Sequence, residues 1–273
     1  MRDRVEFRPG YHISPVIRGA WQLAGGHGVI DRNEAVKNLE AAYKAGITTY
    51  DCADIYTGVE DLLGELRKKL LNGAGAHALA QLKIHTKFVP DLDLLPIIRK
   101  ADVLSTIERS LRRLRVERLD LVQYHWWDYD IPGCSEVALW LTDLQQEGKI
   151  DLIGGTNFDT PHTSQLIDAG VPLASLQVQY SLIDTRPDHG LTELCRKHNV
   201  HLLCYGTVAG GFLSDAWLGR GEPQPPFENR SLTKYKLIID DFGGWDEATP
   251  TFFGEDGIFY KVFAQVQGIQ TNE

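Results

Sequence analysis

Short apolar stretches rich in β-branched residues alternate along this chain with longer segments whose apolar positions recur at helical spacing. The short stretches are residues 16–21, 48–53, 83–89, 119–126, 150–157, 175–182 and 201–208, and each predicts a β-strand. The segments between them predict helices. Asp31, followed at the third position by Glu34, makes a capping box, after which Val36, Leu39, Ala42 and Tyr43 line one face until Gly46 ends the run. Leu104, Ile107, Leu111 and Leu114 form a second stripe, with Arg109, Arg112, Arg113 and Arg115 largely off it. Thr160 and Pro161 read as an N-cap and first helical residue, and Gly170 closes that helix.

Strands and helices in strict alternation imply a parallel sheet, because each crossover helix carries the chain back over the sheet. Two α/β architectures compete. A doubly wound sheet would show G-x-G-x-x-G straight after an early strand, and neither Gly19 nor Gly25-Gly26-His27-Gly28 fits that spacing. An eight-stranded TIM barrel takes about 250 residues and places its chemistry at the C-terminal ends of the strands. The expectation is therefore a (β/α)8 barrel, a single domain over residues 1–273.

Composition narrows the class further. With 28 Lys+Arg against 37 Asp+Glu the net charge is -9, which disfavours a nucleic-acid binder needing a basic face. Apolar runs fall well short of the roughly twenty residues that cross a bilayer, and the mixed charges of residues 1–6 make no secretory signal. Cys52, Cys134, Cys195 and Cys204 lie far apart, which argues for neither a disulfide scaffold nor a metal site. A cytoplasmic chain, bound to neither nucleic acid nor membrane, is expected.

The chemistry-bearing residues fall where a barrel would use them. Asp51 and Tyr56 follow the second expected strand, Lys87 lies near the end of the third, and His125 ends the fourth. Neighbouring strands are about 4.8 Å apart, so these side chains can meet. Any one of them has an ordinary reading as a solvated charge or packing residue. Together they suit protonation of an oxygen during hydride transfer to a carbonyl. Tyrosine, with a pKa of about 10, is a weak acid that a Lys ammonium helps to ionise, and Asp51 would hold that ammonium in place. His125 would donate to the carbonyl oxygen and orient the substrate. None of the four is a hydride source, so a nicotinamide cofactor is implied.

The stretch Asp51-Cys52-Ala53-Asp54-Ile55-Tyr56, followed by Glu60 and Leu63-Gly64, resembles the signature of the aldo-keto reductase superfamily. The resemblance implies a catalytic tetrad of Asp51, Tyr56, Lys87 and His125, with Tyr56 as proton donor. It implies cofactor contacts from Ala20 and Trp21 in the first-strand segment, from Asp51, and from Thr156 and Asn157 in Gly155-Thr156-Asn157-Phe158. Gln177 matches a carboxamide-binding position, Tyr205 one that stacks on the nicotinamide, and Gly206 and Leu213 fall in the following cofactor loop. A substrate pocket of Trp21, Tyr56, His125 and Trp126 follows, although Trp126 and Trp127 serve equally well as packing. The implied cofactor is NADP(H), or NAD(H), and the implied partner a small carbonyl or alcohol. Gly154-Gly155 and Gly210-Gly211 read as turn residues, Cys52 as small filler, and His85, on the face of Lys87, as part of a barrel layer.

The motifs run over residues 10–247. Beyond them the sequence has one cation, Lys261, and no Arg, although the family grips the adenosine 2′-phosphate there. Residues 258–266 are the sole candidate for an eighth strand, so the expected barrel has a missing or altered eighth strand and final helix. A catalytically weak or regulatory relative with impaired cofactor binding is the competing reading.

Overall fold

The computed structural model describes residues 4–25, 28–217, 219–246 and 248. Two short strands, β1 (Val5–Arg8) and β2 (Tyr11–Ile13), pair antiparallel. Seven more form one sheet in chain order: β3 (Ile17–Gly19), β4 (Thr49–Asp51), β5 (Lys83–Phe88), β6 (Leu119–Tyr124), β7 (Ile150–Thr156), β8 (Leu173–Gln179) and β9 (His201–Tyr205). Registers from β3 through β8 are parallel. Helices α1 (Arg32–Lys44), α2 (Val59–Gln81), α3 (Lys100–Leu114), α4 (Cys134–Gln146), α5 (Thr160–Asp168) and α6 (Leu191–Lys197) fill the crossovers, and α7 (Arg230–Phe242) follows β9. A sheet whose spatial order never reverses has no switch point, so the winding is that of a barrel and not of a doubly wound sheet. The expected α/β class and all seven strands are present. The candidate eighth strand at 258–266 lies outside the described residues.

Two compact units divide the chain: Met1–Gln177 with Glu193–Leu203, and Val178–Thr192 with Cys204–Glu273. In the first unit the β1–β2 hairpin plugs the N-terminal side of the sheet. Phe7, Tyr11 and Ile13 pack on Leu121, Ala174 and Leu203, and Arg8 donates to the carbonyls of Leu173, Ala174 and Asn199. In the second unit α7 sits over Gly206 and Gly210, where a Cβ would run into the ring of Tyr235. Ile183, Phe212, Leu232, Ile239 and Trp245 complete that core.

Local details depart from the sequence expectations in instructive ways. The α1 cap forms as expected, Asp31 Oδ1 accepting from Glu34 N at 2.9 Å, but the Glu34 side chain pairs outward with Lys37. The N-cap of α5 is Asp159, one residue before the expected Thr160, because its carboxylate reaches His162 N at 2.9 Å. The buried face of α3 is Val103, Ile107, Ser110 and Leu114, so Leu104 and Leu111 flank it. Gly154 and Gly155 are not turn residues. Both lie inside β7, where a Cβ would meet Ser175 Oγ at 2.5 Å and Leu176 Cδ1 at 2.8 Å respectively. Gly210 and Gly211 do turn the chain, at φ of 66° and 109°.

Candidate active site

Parallel strands present their C-terminal ends on one side, and the first unit gathers its polar residues there. Asp51 closes β4, and the loop after it keeps pairing with β5: Cys52 N donates to His85 O at 2.8 Å and Asp54 N to Lys87 O at 3.4 Å. On the other flank Ala20 N donates to Asp51 O at 2.9 Å. Lys87 stands opposite Gln123, and Thr156 opposite Gln177, in the strand registers. His125, just past β6, donates its backbone N–H to Phe88 O at 3.1 Å.

Asp51 is the hub. Its Oδ2 takes Lys87 Nζ at 2.6 Å, while its Oδ1 accepts Gln123 Nε2 at 2.7 Å and Gln177 Nε2 at 2.8 Å. Lys87 also donates to Cys52 O at 2.8 Å, and only 7% of its side chain is exposed. Burial works against its charge, but Asp51 more than compensates, so the ammonium is held above its ordinary pKa and stays charged. That ammonium lies 5.3 Å from the centre of the Tyr56 ring. Burial pushes the Tyr56 phenol up, and Lys87 pulls it down by less. The cation thus moderates an acid that burial has raised.

His125 is held by a backbone carbonyl. Its Nδ1 lies 3.1 Å from the carbonyl oxygen of Thr156, and a carbonyl oxygen only accepts, so Nδ1 carries the hydrogen. Burial holds the ring below its usual pKa. In the neutral form Nε2 is therefore an acceptor, and donation to a carbonyl oxygen requires the imidazolium. Beside it the two tryptophans separate. Trp126 is 2% exposed with its N–H on Ile131 O, a packing residue rather than the expected pocket wall. Trp127 is 51% exposed, stands edge-on to His125 at 4.4 Å between centroids, and is anchored by its N–H to Pro90 O at 2.7 Å. Half-buried Trp21 directly follows Ala20.

Of the expected cofactor residues, the first unit brings together Ala20, Asp51, Thr156, Asn157 and Gln177. Thr156 Oγ1 donates to Gln177 Oε1 at 3.4 Å, and Asn157 sits in the left-handed region with its N–H on Gln177 O at 2.8 Å. A nicotinamide carboxamide has one acceptor and a two-hydrogen donor. The Thr156 hydroxyl and Gln177 amide can meet both, at the cost of one long bond, so the residues fit the group. Tyr205, Gly206 and Leu213 belong to the second unit. There Lys234 Nζ lies 4.7 Å from the centre of the Tyr205 ring, Gly206 has φ of 75°, and Leu213 packs on the Phe212 cluster.

Two features escaped sequence reasoning. Gln123 is one, a fully buried polar residue inside an apolar strand. The signal available was its place two residues before His125, on the same strand face. The other is an ionic cluster under the Tyr56 loop. Glu60, 1% exposed, takes Thr86 Oγ1 at 2.7 Å and Arg113 at 3.3 Å, while Asp54 takes Val89 N at 3.2 Å with Arg109 at 3.7 Å. Desolvation and the neighbouring Glu60 push the Asp54 carboxyl up to about 7. His85 is fully buried in its layer, bonded through Nε2 to Tyr11 OH and pushed down to about 4.

A family model described as the Aldo/keto reductase family matches residues 15–268, reaching past the 247 where the motifs stop. The "NADH-specific methylglyoxal reductase" of Escherichia coli (strain K12) is 27% identical over 217 residues, 72% of this chain and 64% of that relative's length. "Aldo-keto reductase YhdN" of Bacillus subtilis (strain 168) is 27% identical over 267 residues, 93% of this chain and 77% of the relative. Among solved structures, a thermostable aldo-keto reductase, Tm1743, with the inhibitor epalrestat superposes at TM-score 0.67 and 29% identity, covering 79% of this chain and 76% of the other.

Proposed function

The chain belongs to the aldo/keto reductase family, and on that footing we propose that it reduces a small aldehyde or ketone to an alcohol, or the reverse, with Tyr56 as the proton donor. The observation that carries this reading is the buried Lys87–Asp51 pair at 2.6 Å, set 5.3 Å from the Tyr56 ring. Thr156, Asn157 and Gln177 are the residues to hold the carboxamide of a nicotinamide dinucleotide, which supplies the hydride. Ala20 and Trp21 are further proposed contacts in the first unit; for Tyr205, Gly206 and Leu213, in the second, the proposal rests on the sequence motifs alone. Trp21, Tyr56, His125 and the exposed Trp127 line the proposed substrate pocket.

In reduction the carbonyl carbon gains the hydride and the carbonyl oxygen takes the Tyr56 proton. Tyr56 is left as a phenolate beside Lys87, whose charge Asp51 keeps in register, and regains its proton from solvent. His125 orients the oxygen: as imidazolium it donates, and as neutral imidazole it accepts from the alcohol hydroxyl. NADP(H) is the proposed cofactor and NAD(H) the alternative; relatives' names include both "NADH-specific" and "[NADP(+)]". A cytoplasmic site of action is proposed; among the described residues no helix is long and apolar enough to span a membrane.

The test is direct. Fluorescence titration with NADPH and NADH measures binding, and the loss of either cofactor on adding small aldehydes and ketones measures turnover. Tyr56→Phe should bind the dinucleotide as wild type does and lose carbonyl reduction; turnover within a few-fold of wild type removes Tyr56 from the role of acid.

A further inference from the structure

Gln123 is 0% exposed, yet its Oε1 has no hydrogen-bond partner among the described residues. A methionine would fill the same volume without burying an unpaired acceptor, so stability alone does not account for an amide here. Its other end does work at the site: Nε2 lies 2.7 Å from Asp51 Oδ1. The orientation of the amide is settled by chemistry, because a carboxylate only accepts and must face the NH2 end. Asp51 Oδ1 has a second amide donor, Gln177, and the two differ in surroundings. Gln177 has Thr156 Oγ1 at 3.4 Å on its Oε1 and is the residue offered to the cofactor carboxamide. Gln123 lies between Lys87 and Gly154 in the registers, and a Cβ on Gly154 would meet Ser175 Oγ at 2.5 Å and Gln123 Cγ at 3.5 Å.

We propose that Gln123 is a positioning residue that, beside Gln177, holds the Asp51 carboxylate in register with Lys87. The effect on turnover rests on the carbonyl-reductase reading, whereas the Gln123–Asp51 bond stands without it. The charged and titratable groups facing this point are Asp51 from β4, Cys52 and Tyr56 from the loop after it, His85 and Lys87 from β5, and His125 just past β6; β7 and β8 contribute uncharged Gly154, Ser175 and Gln177. With the Gln123 donor gone, the Asp51 charge is less damped and its oxygen is free to turn. Lys87 then loses a fixed partner and pulls the Tyr56 phenol down less well.

Two variants separate this from a packing role. Gln123→Met keeps the volume and removes the donor. It should bind dinucleotide and substrate within about two-fold of wild type, lose at least about ten-fold in kcat, and move the alkaline rise of alcohol oxidation to higher pH. Gln123→Glu places a second carboxyl beside Asp51, where two like charges cannot both ionise and one keeps a proton. Protonated, it donates the bond that Gln123 made. Its activity should approach wild type at low pH and fall below that of Gln123→Met once the shared proton leaves. A wild-type kcat and pH profile in Gln123→Met, or parallel profiles in the two variants, overturns the proposal. A readout that needs no turnover accompanies these: the Tyr56 phenol, followed by NMR of ring-labelled tyrosine in the unliganded protein and assigned against Tyr56→Phe. It should titrate higher in Gln123→Met than in wild type. Equal titrations overturn the proposal even if the chain reduces no carbonyl, whereas a shifted titration without turnover sinks only the carbonyl-reductase reading.

Discussion

The hydrogen on His125 Nδ1 is committed to the carbonyl oxygen of Thr156 at 3.1 Å. A neutral ring then meets the substrate with a lone pair, and its pKa lies below the usual value because burial disfavours the charge. Reduction, which benefits from a donor to the developing oxyanion, should gain as pH falls through that lowered pKa. Alcohol oxidation should lose over the same range. His125→Gln, whose amide donates at any pH, should flatten the acid side of the reduction profile. Measuring kcat/KM against pH in both directions decides it; a wild-type reduction profile already flat below pH 6 would remove His125 from this role.

Tyr56 sets the other limb. Its phenol is raised above the ordinary value by burial, so it keeps its proton through neutral pH and loses it only at higher pH than a free tyrosine. Reduction should therefore hold up until strongly alkaline conditions, and oxidation should rise there. Lys87→Met removes a cation that pulls the phenol down, so the limb should move further up and turnover should fall by about two orders of magnitude. An unchanged limb would show Lys87 to be a bystander.

Asp54 titrates near neutrality, at about 7, against an ordinary carboxyl value of 3.8. Because the folded-state value is the raised one, the folded chain binds the proton more tightly. The contribution to stability is full below about pH 4 and is lost as pH rises through 7. Asp54→Asn, neutral throughout, should gain on wild type over that window, by about 1–3 kcal/mol after allowance for the coupling to Glu60 and Arg109. Thermal melts of both proteins at pH 5 and pH 8 check this; a margin that fails to widen contradicts it.

Gly64 lets α2 approach α3, since a Cβ there would collide with the carbonyl oxygen of Arg113. Alanine is otherwise favoured over glycine in a helix by about 0.5–1 kcal/mol. A backbone carbonyl cannot rotate out of the way, so overpacking of about 1–3 kcal/mol should win. Gly64→Ala is expected to lower the Tm by several degrees. A Tm equal to or above wild type would show that the two helices can slide apart at little cost.

The seven parallel strands were legible because a strand covered on both faces needs apolar residues on both, which leaves a near-continuous run in the sequence. The hairpin of β1 and β2 was not read, although Arg8-Pro9-Gly10 is a turn signal, because strands of four and three residues carry too few alternations. The meeting of Asp51 and Lys87 was foreseen from their places at neighbouring strand ends. The direction of the Tyr56 shift was not, because burial depends on everything that packs around the loop. Gln123 was not read at all, because a single polar residue in an apolar strand carries no sign of the Asp51 carboxylate that the fold sets beside it. Trp126 and Trp127 differ by one position, and only the path of the chain after β6 sends one inward and the other out.

The hairpin plug ties the beginning of the chain to its late strands. Phe7, Tyr11 and Ile13 leave a ribosome well over a hundred residues before Ala174 and Leu203, on which they rest. At about 5–20 residues per second that apolar face waits on the order of ten seconds or more for its partners. During synthesis it is a standing target for chaperones and for neighbouring nascent chains. Contacts of such long sequence separation also slow refolding from denaturant. A substitution that loosens Phe7 or Tyr11 would therefore burden the yield of folded protein before it touched the chemistry.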